Sequence, residues 1–155
     1  MVSISWVNDQ IAVGSAIIDE DISLLRQIGL NAVIDVRSEC TDNRELIEKK
    51  GMEILHVAVD DQCVPTFAQL QEIFDFIQPL LRVGKKVLIH CQNGCGRSPL
   101  VAIAVLSKGG MDIPDAVNLV KKRHPKTGFT DNQTRFIDIG LAKYLKEKYK
   151  NGQRE

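Results

Sequence analysis

A cysteine and an arginine bracket the most reactive stretch of this chain, Cys91-Gln92-Asn93-Gly94-Cys95-Gly96-Arg97. Gly94 and Gly96 let the backbone between them curl, so that successive N–H groups of Gln92, Asn93, Gly94, Cys95 and Gly96 can turn inward. Inward amides and a nearby cation favour the thiolate, the nucleophilic form of Cys91. Arg97 can give two parallel N–H bonds to an oxyanion, which a lysine cannot. A nucleophile and an oxyanion clamp then face one cradle of phosphate dimensions.

Such a cradle needs rigid elements on both sides. The apolar run Val87-Leu88-Ile89 reads as a buried strand feeding the loop at His90. Downstream, Ser98 fits an N-cap and Pro99 a first helical position, since proline has no N–H to leave unsatisfied. The helix that follows, Leu100 to Lys108, is apolar nearly all round and should be deeply buried, ending at Gly109-Gly110. A helix N-terminus at the end of the loop adds free amides and the positive end of a dipole.

The run from His90-Cys91 to Arg97-Ser98 resembles the HCxxGxxRS signature of cysteine-dependent protein phosphatases, and among them the compact dual-specificity group. The resemblance covers nearly the whole chain, including its Trp6-Val7 opening. It implies metal-free, cofactor-free hydrolysis of phosphate monoesters on protein tyrosine and/or serine/threonine, through a cysteinyl-phosphate on Cys91. Arg97 and the loop amides would hold the phosphoryl oxygens, and Ser98 would donate to the cysteine sulfur. His90 would support the thiolate through loop hydrogen bonds, or be a satisfied core histidine, or both. Asp61-Gln62-Cys63-Val64-Pro65 resembles the family's mobile acid loop, which makes Asp61 the general acid and leaves Asp60 a local turn role. Gln133 falls where relatives carry a glutamine that positions the hydrolytic water. It also completes a capping box with Thr130, and the two readings stand side by side.

Two departures from the family pattern bear on substrate. Gln92, Asn93 and Cys95 are uncharged where relatives acting on phosphoinositides tend to carry lysines, and Pro99 stands where many carry glycine. A phosphorylated protein or peptide is the expected partner. The alternatives are a catalytically weak phosphoprotein-binding module, or a phosphatase for a non-protein phosphate such as an RNA 5′ end or an inositol phosphate.

Composition is consistent with one α/β domain. The 155 residues, 44% hydrophobic, suffice for a single core, and 20 basic side chains balance 20 acidic ones. A net charge of zero argues against a nucleic-acid or membrane partner. The cations Lys121-Lys122-Arg123-His124 are expected at the last turn of a helix from Asp115, where the dipole favours them. The N-terminus has neither a basic head nor a long apolar run, so no signal peptide is expected, and a cytoplasmic monomer is. Cys40, Cys63, Cys91 and Cys95 are then expected as free thiols. Zinc on His90, Cys91 and Cys95 is disfavoured because paired CxxC knuckles are lacking. Cys95 is the nearest candidate in sequence to resolve an oxidised Cys91, with Cys40 and Cys63 open.

In chain order the pattern predicts a hairpin from Ile4 to Val13 and a short helix capped by Asp19 or Asp21. Strands Ala32–Val36 and Ile54–Val59 follow, then a helix Phe67–Val83 capped by Thr66 and kinked or broken at Pro79. The final helix runs from Thr130 to Tyr149, with residues 151–155 as a frayed tail after a domain of residues 1–150. Alternating strands and helices predict a single-domain α/β fold. Its central, mostly parallel twisted sheet has helices on both faces and the phosphate loop at a strand's C-terminal end.

Overall fold

The order of buried and polar residues gives five strands and seven α-helices in the computed structural model, which describes residues 2–154, with side chains to residue 147. In chain order these are β1 (Ile4–Trp6), β2 (Ile11–Gly14), α1 (Asp19–Gln27), β3 (Ala32–Asp35), α2 (Arg44–Lys49) and β4 (Glu53–His56). They are followed by α3 (Phe67–Arg82), β5 (Val87–His90), α4 (Arg97–Lys108), α5 (Ile113–Arg123), α6 (Asp131–Arg135), a π-helical turn (Phe136–Gly140) and α7 (Leu141–Arg154). The strands form one sheet in the order β1-β2-β5-β3-β4, parallel except for the β1–β2 hairpin.

Strand alternation sorts the core into two layers. Ile11, Val13, Ala32, Ile34, Val87 and Ile89 point to the face covered by α3, α4, α5 and α7, while Ala12, Val33 and Leu88 point to α1 and α2. β5 is central and carries no exposed residue, and α4 is buried from Arg97 to Ser107. The mostly parallel sheet with helices on both faces is therefore as the sequence predicts.

Several boundaries differ. The caps of α1 shift: Ile18 occupies the N-cap, and Asp21 acts from inside the first turn, its Oδ2 accepting the Ile18 N–H at 2.9 Å. β4 ends at His56, because β3 ends at Asp35 and offers no further ladder; Val57 N–H makes one last bond to Asp35 O at 2.9 Å. α3 is one helix across Pro79, which lies on its exposed side; Thr66 caps it as predicted, and Gln69 completes a capping box with it. α5 begins at Ile113, ahead of the predicted Asp115. The long C-terminal helix is interrupted by the π-turn, and α7 continues through residues 151–154 of the expected tail. Glu155 lies outside the described residues.

Candidate active site

The carboxyl ends of the three central strands share a register row, Gly14 opposite His90 and His90 opposite Asp35, and Cys91 is the next residue out. The loop after it rests on β2. Gly94 has φ +72°, and a Cβ there would lie 3.0 Å from the Gly14 carbonyl, so glycine is required twice over.

The carbonyls of the loop are tied down from outside. Gln92 O accepts from Ala16 N–H at 3.0 Å, Gly94 O from His124 Nε2 at 2.6 Å and Cys95 O from Gly128 N–H at 2.8 Å. No peptide is cis. In a trans peptide the N–H points opposite to the preceding C=O, so these bonds turn the amides of Asn93, Cys95 and Gly96 inward. Gly94 N–H is already engaged by Cys91 Sγ at 3.3 Å.

α4 starts at Arg97, with Gly96 as N-cap and no side-chain cap bond. The predicted cap, Ser98, is instead inside the first turn, because its hydroxyl has other partners: Cys91 Sγ at 3.3 Å and Gly14 O at 3.3 Å. A thiolate only accepts, so toward it the single Ser98 proton must turn to sulfur. The helix start is thereby left with free amides.

Arg97, 3% exposed, reaches the cradle from the first turn of α4. Its Nη1 donates to Glu39 Oε1 at 2.7 Å and to Val59 O at 2.8 Å, and its Nη2 to Glu39 Oε2 at 2.7 Å. Its Nε is buried and has no partner among the described residues. Hydrogen bonding to the Glu39 carboxylate raises the Arg97 pKa above its usual value, and burial opposes this less strongly. Reciprocally, those bonds hold the Glu39 carboxyl at about 2, below its usual 4.5. The guanidinium is thus a fixed charge whose orientation Glu39 sets.

Asp61 comes to the same place: its Oδ1 is 3.6 Å from Arg97 Nη2, and its side chain is 64% exposed. The chain turns sharply just after it, with Gln62 at φ 64°. Asp60 contributes a backbone bond, its C=O accepting from Cys63 N–H at 3.0 Å. Gln133 makes the predicted capping box, its Oε1 accepting from Thr130 N–H at 3.1 Å, and is 2% exposed. It also touches both working loops. Its Nε2 donates to Cys63 O at 3.2 Å, and a Cβ on Gly96 would meet its Oε1 at 2.8 Å.

Residues 13–138 match the family described as the dual specificity phosphatase catalytic domain. The chain belongs to that family. Mouse dual specificity protein phosphatase 2 is 31% identical over 112 residues, 71% of this chain and 34% of that protein, so the chain spans about a third of that relative's length. The crystal structure of Tk-PTP in the active form superposes with a TM-score of 0.80 at 29% identity, covering 94% of this chain and 97% of that one. PTPMT1 gives a TM-score of 0.83 over 99% of this chain and 100% of its own, at 20% identity, a likeness of fold.

This phosphatase domain has a second buried layer that sequence reasoning missed. His90 Nε2 lies 2.5 Å from Asp42 Oδ2, while its Nδ1 faces Cys91 O at 3.4 Å. Arg37 fills the space beside it, bonding Asp35 at 2.9 Å, Asp42 at 3.1 Å and the Gln92 side chain at 3.0 Å. His90 is therefore a satisfied buried histidine joined to the loop. The ligand atoms of Asp35, Asp42 and His90 gather as a metal site would, but the Arg37 guanidinium already pairs with both carboxylates and His90 Nε2 faces the other Asp42 oxygen, which disfavours a further cation. Glu39, Asp42 and His124 escaped the sequence reading because their partners lie far along the chain and their types are common. All four cysteines are free, Cys40 and Cys63 exposed and Cys95 half-buried with its Sγ 3.6 Å from Asn93 O. Among the described residues no helix is long and apolar enough to cross a membrane.

Proposed function

We propose that this phosphatase domain hydrolyses phosphate monoesters on protein tyrosine and/or serine/threonine through a covalent cysteinyl-phosphate on Cys91. The observation that carries this reading is a loop with amides turned inward beside the Cys91 sulfur, which accepts Gly94 N–H at 3.3 Å, together with a buried Arg97 Nε that has no partner among the described residues. Buried donors without partners are costly, and an anion with several acceptor oxygens relieves the cost.

The Cys91 thiolate attacks phosphorus in line with the ester oxygen, and the P–O bond to that oxygen breaks as the S–P bond forms. Asp61 gives its proton to the departing oxygen. Water then attacks the cysteinyl-phosphate and passes a proton to the Asp61 carboxylate, and the S–P bond breaks to release inorganic phosphate. Ser98 Oγ–H, 3.3 Å from the sulfur, stabilises the leaving thiolate. Throughout, the guanidinium and the amides hold the equatorial oxygens, supplying the charge stabilisation that Mg²⁺ supplies in other phosphoryl transfers. The uncharged side chains of Gln92, Asn93 and Cys95 favour a singly phosphorylated protein over a multiply charged head group.

The test is hydrolysis of p-nitrophenyl phosphate and of phosphopeptides in EDTA, wild type beside Cys91→Ser. The variant is expected to lose turnover and still bind inorganic phosphate, because the amides and Arg97 survive the change. Metal-free turnover by Cys91→Ser at about a tenth of wild type or more would refute the covalent route.

A further inference from the structure

His124 closes the cationic run at the end of α5, but unlike Lys121, Lys122 and Arg123 it is buried, at 2% exposure. Both its ring nitrogens are engaged: Nε2 lies 2.6 Å from Gly94 O and Nδ1 2.7 Å from Ser5 Oγ. A carbonyl oxygen only accepts, so Nε2 carries the proton; a neutral ring then accepts the Ser5 O–H at Nδ1. The turn that holds the ring is itself tied, Thr127 bonding His124 O through its N–H at 3.0 Å and its Oγ1 at 2.7 Å. The same turn supplies Gly128 N–H to Cys95 O at 2.8 Å.

One short segment outside the loop therefore pulls two successive carbonyls, those of Gly94 and Cys95, away from the cradle. By peptide planarity the next amides, Cys95 N–H and Gly96 N–H, face the other way. At the first of these peptides a side chain does the pulling. Gly94 sits at φ +72° with no Cβ, so its own conformation puts little barrier in the way of a rotated peptide. Rotation would turn the Gly94 oxygen toward the bound anion and replace a donor with a repulsive acceptor.

We infer that His124 is a positioning residue for phosphate capture, holding the Gly94–Cys95 peptide with its amide inward, and that Ser5 on β1 fixes the tautomer needed for this. The inference rests on the phosphate-binding reading of the cradle and adds a residue outside the loop to it.

Three measurements test it. In wild-type protein, titration with inorganic phosphate followed by ¹H–¹⁵N correlation should shift the Cys95 amide as an anion hydrogen bond forms. His124→Ala should weaken phosphate binding and raise KM in parallel, lowering kcat/KM by roughly 10- to 100-fold, the scale expected when a preorganised oxyanion donor is misplaced. His124→Gln, whose amide N–H can reach the same carbonyl, should restore most of the phosphate affinity, and Ser5→Ala should cost less than His124→Ala. A purely structural histidine predicts instead that Ala and Gln lower the melting temperature alike and leave phosphate affinity unchanged. That outcome, or a Cys95 amide unmoved by phosphate that does bind, overturns the inference while leaving the proposed function standing. Wild-type protein that binds no phosphate would remove both.

Discussion

Glu39→Ala should slow the enzyme although Glu39 is placed to touch the guanidinium rather than the reacting phosphorus. The substitution removes both Glu39 carboxylate oxygens from Arg97, each at 2.7 Å, and leaves the guanidinium with Val59 O and, at 3.6 Å, Asp61. Hydrogen bonds to charged groups are worth about 1.5–3 kcal/mol each, but exposed pairs give only about 0.2–1. This pair lies between, with Arg97 2% and Glu39 40% exposed in their side chains. About 1–2 kcal/mol of Arg97 orientation is therefore at stake, or roughly a 5- to 30-fold loss in kcat/KM. The assay is p-nitrophenyl phosphate turnover with phosphate affinity measured alongside, and Glu39→Gln, which keeps one acceptor, should fall between. The pH dependence follows from the depressed Glu39 carboxyl, at about 2 instead of 4.5. A lowered acid pKa stabilises the fold fully above the unfolded value and loses that contribution as pH falls from 4.5 towards 2. From pH 5 upward the pair is constant, so Glu39→Ala should lower the whole activity profile without moving its limbs. Wild-type kcat/KM and phosphate affinity in Glu39→Ala would show that Arg97 is oriented by other means.

Asp61→Asn should cut kcat by about 10²- to 10⁴-fold, most for phosphoserine esters and least for p-nitrophenyl phosphate, whose leaving group needs the proton less. Asp60→Asn should do little, and the reverse ranking would move the acid by one residue. Gly94→Ala forces a side chain into a φ of +72° and against the Gly14 carbonyl at 3.0 Å. A destabilisation of roughly 2–4 kcal/mol is expected from the two effects together, with loss of phosphate binding. An unchanged melting temperature would contradict the close packing of loop on strand.

What the sequence made legible was local. Cys91, Arg97 and the glycines lie in one window, and Thr130 with Gln133 forms a box readable from spacing alone. The side chains that hold the site in place were not legible, because their contacts are long-range: Glu39 lies 58 residues from Arg97, Asp42 48 from His90 and His124 30 from Gly94. The start of α4 was misplaced for a related reason. Capping rules assume that a free hydroxyl serves the nearest amides, whereas Ser98 is claimed by a sulfur and by a strand residue 84 positions away. At Pro79 the break that a missing N–H allows does not occur: α3 runs through it, with the proline on the exposed side of the helix.

The π-turn at Phe136–Gly140 gives the C-terminal rod two angular settings. A π-turn is in effect an α-helical turn with one residue inserted. Before it, the phase is set by Thr130 and Gln133 on the acid and phosphate loops; after it, by Leu141 and Tyr144, both buried in the core. The inserted residue reconciles the two. Deleting a single exposed position there, such as Ile139 at 64% exposure, would rotate one half against the other by about 100°. The helix therefore tolerates substitution on its outer face far better than any change in its length, and the Gln133 end and the Tyr144 end are free to vary in sequence only while that offset is kept.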